Sequence, residues 1–168
     1  MPINELYTPA LLEHSQDPFN KYAMENPTCT HEGINPSCGD DIVLSLRLSD
    51  SDIIEEAAFT GSGCAVSQAS ADMMADLVCG LDLAQARDLC KLFIQMARGE
   101  ATDTELLTER LGEAACLKTI ARMPARVKCA ELAWRTLDQM LEDRQSGGTG
   151  SNLKAATTED GIPGVRDL

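Results

Sequence analysis

Three of the seven cysteines in this chain of 168 residues occupy positions poorly suited to core packing. Cys38 lies in Asn-Pro-Ser-Cys-Gly-Asp-Asp, where Asn-Pro and the following glycine mark a tight turn. That turn sets a thiol and the Asp40 carboxylate two residues apart on an exposed loop. Cys64 follows Gly61-Ser62-Gly63, where an alternating apolar pattern gives way to a helical one. A thiol at a helix N-terminus faces the positive end of the helix dipole, which favours the thiolate. The two glycines let another segment approach closely. Cys129 falls in the opening turns of the last expected helix, where the same logic acts more weakly. These thiols and Asp40 are candidates to converge on one zinc ion, which takes four ligands, mostly sulfur and nitrogen with an occasional carboxylate. The cysteines stand 26 and then 65 residues apart, unlike any zinc-finger spacing. The fold must therefore assemble the site, and metal is expected to stabilise the domain without being required for folding.

The other cysteines read differently. Cys90 sits on an apolar helical stripe and Cys116 beside Leu117 and Ile120, so both are expected in the core. Cys79 ends a helix. Cys29 and His31 form an alternative ligand pair, because alternate residues of a strand point to one face. Asp41 rivals Asp40 as the carboxylate. His14 reads as a surface or helix-end residue.

Positioning these groups requires strands first and helices after. Thr28–Ile34 is a weak strand candidate. Residues 41–50 alternate Ile42, Leu44, Leu46 and Leu48 on one face, and residues 52–61 form the next strand after a polar turn. Consecutive, closely spaced strands predict an antiparallel meander. From Cys64 the period becomes helical, with a stop at Gly80. A second helix is capped by Asp82 and ended by Gly99, with Leu83, Ala86, Cys90, Phe93, Ile94 and Ala97 on its stripe. Two short helices break near Gly112. A long helix then opens at Pro124, with Val127, Leu132, Trp134, Leu137 and Leu141 as apolar contacts. One short helix containing Leu11 and Leu12 precedes the strands, ended by Pro18 and Pro27. The fold class is therefore α+β: a small antiparallel three-stranded sheet with helices packed on one face. Residues 1–143 are expected to form one domain, and 144–168, dominated by Gly, Ser and Thr, a flexible tail.

Composition narrows the function classes. Net charge is −13 and the 14 basic residues are scattered, which argues against nucleic acid as a partner. No apolar run reaches the roughly 20 residues of a membrane span. The first residues show neither a basic lead nor a small-residue cleavage site, and the cysteine number is odd, so a cytoplasmic protein with reduced thiols is expected.

The segments NPSCGD, GSGCAVSQASADMM and MPARVKCAELAW together resemble the SufU branch of the IscU/NifU-type iron–sulfur scaffold family. The similarity runs from about His14 to Leu141 and includes HSQDPFN, similar to the family's His-x-x-x-Pro-x-Asn segment. The resemblance implies Cys38, Asp40, Cys64 and Cys129 as the metal ligands. Two features depart from the IscU pattern: Lys128 replaces a histidine before the last cysteine, and MPARVK replaces the chaperone-read Leu-Pro-Pro-Val-Lys. Both departures, and the extra helical segment between Gly99 and Arg122, are similar to SufU. The resemblance further implies a SufS-type pyridoxal-phosphate cysteine desulfurase as partner, lending a histidine to zinc in exchange for a cysteine ligand. It makes Cys38 the persulfide acceptor in a zinc-dependent sulfurtransferase that feeds downstream iron–sulfur assembly proteins. The alternative is a scaffold that holds Fe²⁺ and assembles a transient [2Fe–2S] cluster, since thiolates suit iron as well. A structural zinc domain that only binds partners is the third. Three thiolates and a carboxylate leave zinc with net negative charge, for which Arg126 is the expected cationic neighbour; pairing with Glu131 is its other reading.

Overall fold

The computed structural model describes residues 6–147 and the backbone of residues 155–157. Its strands are β1 (Cys29–Asn35), β2 (Asp40–Leu48) and β3 (Ile54–Ser62). They form the expected antiparallel meander, with Asn35 opposite Asp40 at the first hairpin and Asp41 opposite Ser62 at the second pairing. Alternation decides the faces: Ile42, Leu44, Leu46 and Leu48 are all buried, while Asp41 between them and the turn is exposed. One strand is additional to the expected three. Ala155–Thr157 (β4) pairs parallel with β1 at the sheet edge; two alanines and a threonine give no alternating apolar signal from which to read it. The expected tail begins within a helix that runs to Gln145, and residues 148–154 and 158–168 lie outside the described residues.

Helices α1 (Pro9–Gln16), α2 (Ala65–Val78), α3 (Leu83–Ala97), α4 (Thr104–Leu111) and α5 (Pro124–Gln145) carry the rest, with a 3₁₀ segment over Gly112–Arg122. Their ends follow local chemistry. Thr8 and Asp103 accept from first-turn N–H groups, and Asp82 with Gln85 forms a reciprocal capping box. Pro124 opens α5, where its missing N–H costs nothing. Helix α5 packs on β1 and β2, α2 on β3, and α3 on α5. The approach of α5 to the sheet depends on Gly33, where a Cβ would stand 2.1 Å from Thr136 Oγ1. Phe93 stacks on Trp134 with ring centroids 4.3 Å apart, and the buried indole N–H donates to Ser70 Oγ at 2.9 Å. The rest of the core is mainly Leu, Ile, Val, Ala and Met. Among the described residues no helix is long and apolar enough to cross a membrane.

Helix α1 is fastened to this body by His14, whose side chain is only 12 % exposed. Its Nδ1 lies 2.6 Å from Asp72 Oδ2 and its Nε2 3.4 Å from Glu113 Oε2. Asn20 completes the clamp, donating to Asp72 and to Asp76 of α2. Burial works against the imidazolium, but Asp72 and Glu113 outweigh it and raise the His14 pKa above its ordinary 6.5. A raised folded-state pKa stabilises fully below the unfolded value and is lost as pH rises through the folded one. His14→Ala is therefore expected to cost about 2 kcal/mol at pH 6. The gap to the native protein should narrow at pH 8.5, as read by thermal unfolding at both pH values. An equal gap at both would show that packing, not charge, holds α1.

Candidate metal centre

Four elements meet at one end of the sheet. The turn between β1 and β2 carries Cys38, held by its N–H to Asn35 C=O at 3.3 Å, with Gly39 at φ +72° beside it. Asp40 begins β2 and is fully buried. Because it is directly opposite Asn35, the two side chains share a face, and Asn35 Nδ2 donates to Asp40 Oδ2 at 3.0 Å. Cys64 occupies the N-cap position of α2, and Cys129 lies on α5, fully buried.

Cys38, Asp40 and Cys129 each place one donor atom within 4.8 Å of the other two. Cys129 Sγ is 3.2 Å from Cys38 Sγ and also within hydrogen-bonding reach of Cys64. Three of the four sequence-predicted ligands therefore come together, with Cys129 as the hub, whereas Cys64 reaches Cys129 but falls outside that group of mutually close donors. Cys38 is exposed, Cys64 half-buried and Cys129 buried, so the cluster has one open side.

Hydrogen bonds fix the carboxylate. Asp40 Oδ1 accepts from the Cys64 N–H at 2.8 Å and the Ser67 hydroxyl at 3.1 Å. Oδ2 accepts from Asn35 Nδ2, and a carboxylate oxygen has a further lone pair for a ligand. Gly63 makes this approach possible, since a Cβ there would lie 2.6 Å from Asp40 Oδ1 and 2.4 Å from Ser67 Oγ. Asn35 Nδ2 also faces Cys129 Sγ at 3.4 Å, so one amide ties a carboxylate to a thiol. In the sequence Asn35 is legible only as a turn former, and Ser67 carries no signal of its own. The direct cross-strand pairing of Asn35 with Asp40 was the signal available for the first.

The thiols polarise one another. Cys64 is lowered to about 6, because hydrogen bonding from Cys129 and the facing Ser67 N–H outweigh its burial. Cys129 is raised, because it is the donor toward Cys64 and is buried. Arg126 lies beside them, with hydrogen-bonding reach to Cys129. Burial disfavours its charge, but Tyr7, Cys64 and Cys129 raise its pKa nonetheless. Glu131, the other partner considered for Arg126, is taken by Arg98 and Arg135 at 2.9 and 3.1 Å. Two sulfurs and a carboxylate oxygen in mutual reach, a third sulfur against Cys129 and a guanidinium alongside match the donor chemistry of a zinc site.

The remaining candidates lie elsewhere. Cys29 and His31 are buried on the α5-facing side of β1, where His31 Nε2 is 3.4 Å from Asp143 Oδ2, outside the sulfur cluster. Asp41 points away from it. Cys90 is buried, Cys116 is half-buried against the core, and Cys79 is exposed. His14, Asp72 and Asp76 also bring donor atoms within 4.8 Å, but there the imidazole and the Asn20 amide already serve the carboxylates.

Residues 6–130 match the family described as NifU-like N terminal domain. The chain belongs to that family. Within the NifU-like family, the chain is 35 % identical over 145 residues to the zinc-dependent sulfurtransferase SufU of Bacillus subtilis, covering 86 % of this chain and 95 % of that one. It is also 35 % identical to the iron–sulfur cluster assembly scaffold protein IscU of Streptococcus pyogenes, covering 83 % and 85 %. Its fold matches the crystal structure of a putative SUF-system scaffold protein from Fervidobacterium islandicum with a TM-score of 0.75 at 31 % identity, over 83 % of this chain and 99 % of that one. The N-terminal part of a NifU-like protein from Brucella abortus shares the fold, with a TM-score of 0.76 at 18 % identity over 86 % and 97 %.

Proposed function

We propose that this protein is a zinc-dependent sulfur acceptor of iron–sulfur cluster assembly, taking persulfide sulfur onto Cys38 from a SufS-type cysteine desulfurase in the cytoplasm and passing it to downstream assembly proteins. The observation that carries this reading is an exposed thiol, Cys38, 3.2 Å from the buried hub Cys129. Similarity to the zinc-dependent sulfurtransferase SufU of Bacillus subtilis supports it. Cys38, Asp40, Cys64 and Cys129 would hold the ion. Bound zinc keeps its thiolate ligands deprotonated while muting their nucleophilicity.

The residues then divide the work. Asp40, Cys64 and Cys129 are anchored on β2, α2 and α5 respectively, whereas Cys38 rides on a turn and meets solvent. The Cys38 thiolate attacks the outer sulfur of the partner's cysteine persulfide. A sulfur–sulfur bond forms at Cys38 as the partner's breaks, and its electron pair leaves on the partner's cysteine as thiolate, which takes a proton from water. Arg126 remains a cation against Cys64 and Cys129 throughout.

A second reading, a scaffold for a transient [2Fe–2S] cluster, is favoured by the similarity to the iron–sulfur cluster assembly scaffold protein IscU of Streptococcus pyogenes. Desulfurase turnover with and without this protein, alongside its metal content, separates the two. Colourless protein with about one zinc per chain and a clear rise in turnover is the expected result. Coloured, iron-loaded protein that leaves turnover unchanged would favour the scaffold.

A further inference from the structure

Folding gathers basic residues that are scattered in the sequence. Two cavities that share Ala121 lie where the end of α3, the 3₁₀ segment and the start of α5 meet, with volumes of about 440 and 350 Å³. Lys118 and Arg122 line the larger; Arg98, Lys128 and Arg135 line the smaller. Five of the chain's 14 basic residues thus face this ground, against one carboxylate, Glu131, in a protein of net charge −13. Arg122 and Lys128 have no carboxylate partner among the described residues. Lys118 donates to neutral oxygens only, Thr102 C=O at 3.0 Å and Thr104 Oγ1 at 2.7 Å.

A second observation points to a ligand. Thr119 lines the larger cavity between Lys118 and Arg122, and its buried hydroxyl has no hydrogen-bond partner among the described residues. A buried hydroxyl left unpaired is costly, and rotation of the Thr119 side chain toward the cavity would let it donate to an anion held there by the two cations. Guanidinium and ammonium groups flanking a hydroxyl suit a carboxylate.

Position says whose carboxylate it is. Pro124, Val127 and Lys128 line the smaller cavity, and Arg126 and Cys129 alternate with them along the same turns of α5, so this face borders the sulfur cluster. A partner that reaches Cys38 covers neighbouring ground. The rest of an acidic molecule repels an acidic partner, which leaves this face as its favourable approach. We infer that the face lined by Lys118, Thr119 and Arg122 receives an acidic surface of the sulfur-donating partner, one of whose carboxylates enters the larger cavity. The inference rests on the functional reading above and adds the surface through which the partner docks.

The test uses the zinc-loaded full-length chain and a SufS-type desulfurase, with affinity measured by calorimetry at 50 and 300 mM KCl. Arg122→Glu should weaken binding about tenfold at low salt and flatten the salt dependence. Thr119→Val should weaken it a few-fold while holding or raising the unfolding temperature, since it removes an unpaired hydroxyl. Zinc content should stay unchanged in both. Lys91→Glu, exposed on α3 outside both cavities, should bind as the native chain does. Native affinity in both Arg122→Glu and Thr119→Val overturns the docking surface alone. Failure of the native chain to bind overturns it together with the functional reading. Saturable binding of citrate that Arg122→Glu abolishes, with desulfurase affinity intact, overturns it in favour of a small-molecule site.

Discussion

Cys38→Ser is expected to abolish desulfurase-dependent persulfide formation while leaving the fold in place. Cys38 is exposed on a turn, so its substitution removes no core contact, and stability should change by no more than about 0.5 kcal/mol in the metal-free protein. A serine hydroxyl stays protonated at neutral pH, and the nearby Asp40 carboxylate is far too weak a base to ionise it, so it does not replace a thiolate as nucleophile. Cys129→Ser makes the informative contrast. Cys129 is fully buried and faces Cys38, Cys64 and the Asn35 amide, so that variant should lose metal and stability together. Mass spectrometry after incubation with desulfurase and cysteine gives the readout, as the gain of one sulfur per chain. A Cys38→Ser protein that still gains the sulfur would move the acceptor role to Cys64 or Cys129.

Much of this architecture is legible from local rules. Period-two burial in residues 42–48, the Asp82 cap and the Pro124 start are short-range signals, and they place β2, α3 and α5 correctly. The choice between Asp40 and Asp41 is open in the sequence; the structure starts β2 at Asp40, on the inward face with the leucines, and turns Asp41 outward. The candidate ligands were legible because each sits where an element changes: a turn, a strand-to-helix junction, a helix start. What local rules do not carry is contact across the chain. Asn35 reaches Cys129 over 94 residues, and Arg98 takes Glu131 away from Arg126 only because α3 lies on α5. The five cations around Ala121 come from three elements, so their convergence has no signature in sequence order. The short edge strand β4 depends on its pairing with β1, with no apolar pattern of its own.

Metal removal should weaken the domain without unfolding it. The four candidate ligands are held by structure that owes nothing to an ion: a paired hairpin, a helix start bonded to Asp40, and a helix packed over two strands. The core built around Phe93, Trp134 and the sheet leucines continues far from the site. Metal that nucleates a fold does so where ligands lie close in sequence and the core is small, and neither holds here. Without the ion, however, the cluster confines a carboxylate and three thiols, and the binding energy is lost from the native state. For zinc at a thousandfold its dissociation constant that loss is about 4 kcal/mol, which for a domain of this size lowers the unfolding temperature by about 10 °C. Calorimetry and circular dichroism before and after a strong chelator give the check. A cooperative transition at the lower temperature, with the helical signal intact at 25 °C, is the expected outcome. Loss of that signal would mean that the ion, and not the packing of α5 on the sheet, brings Cys129 to the turn that carries Cys38.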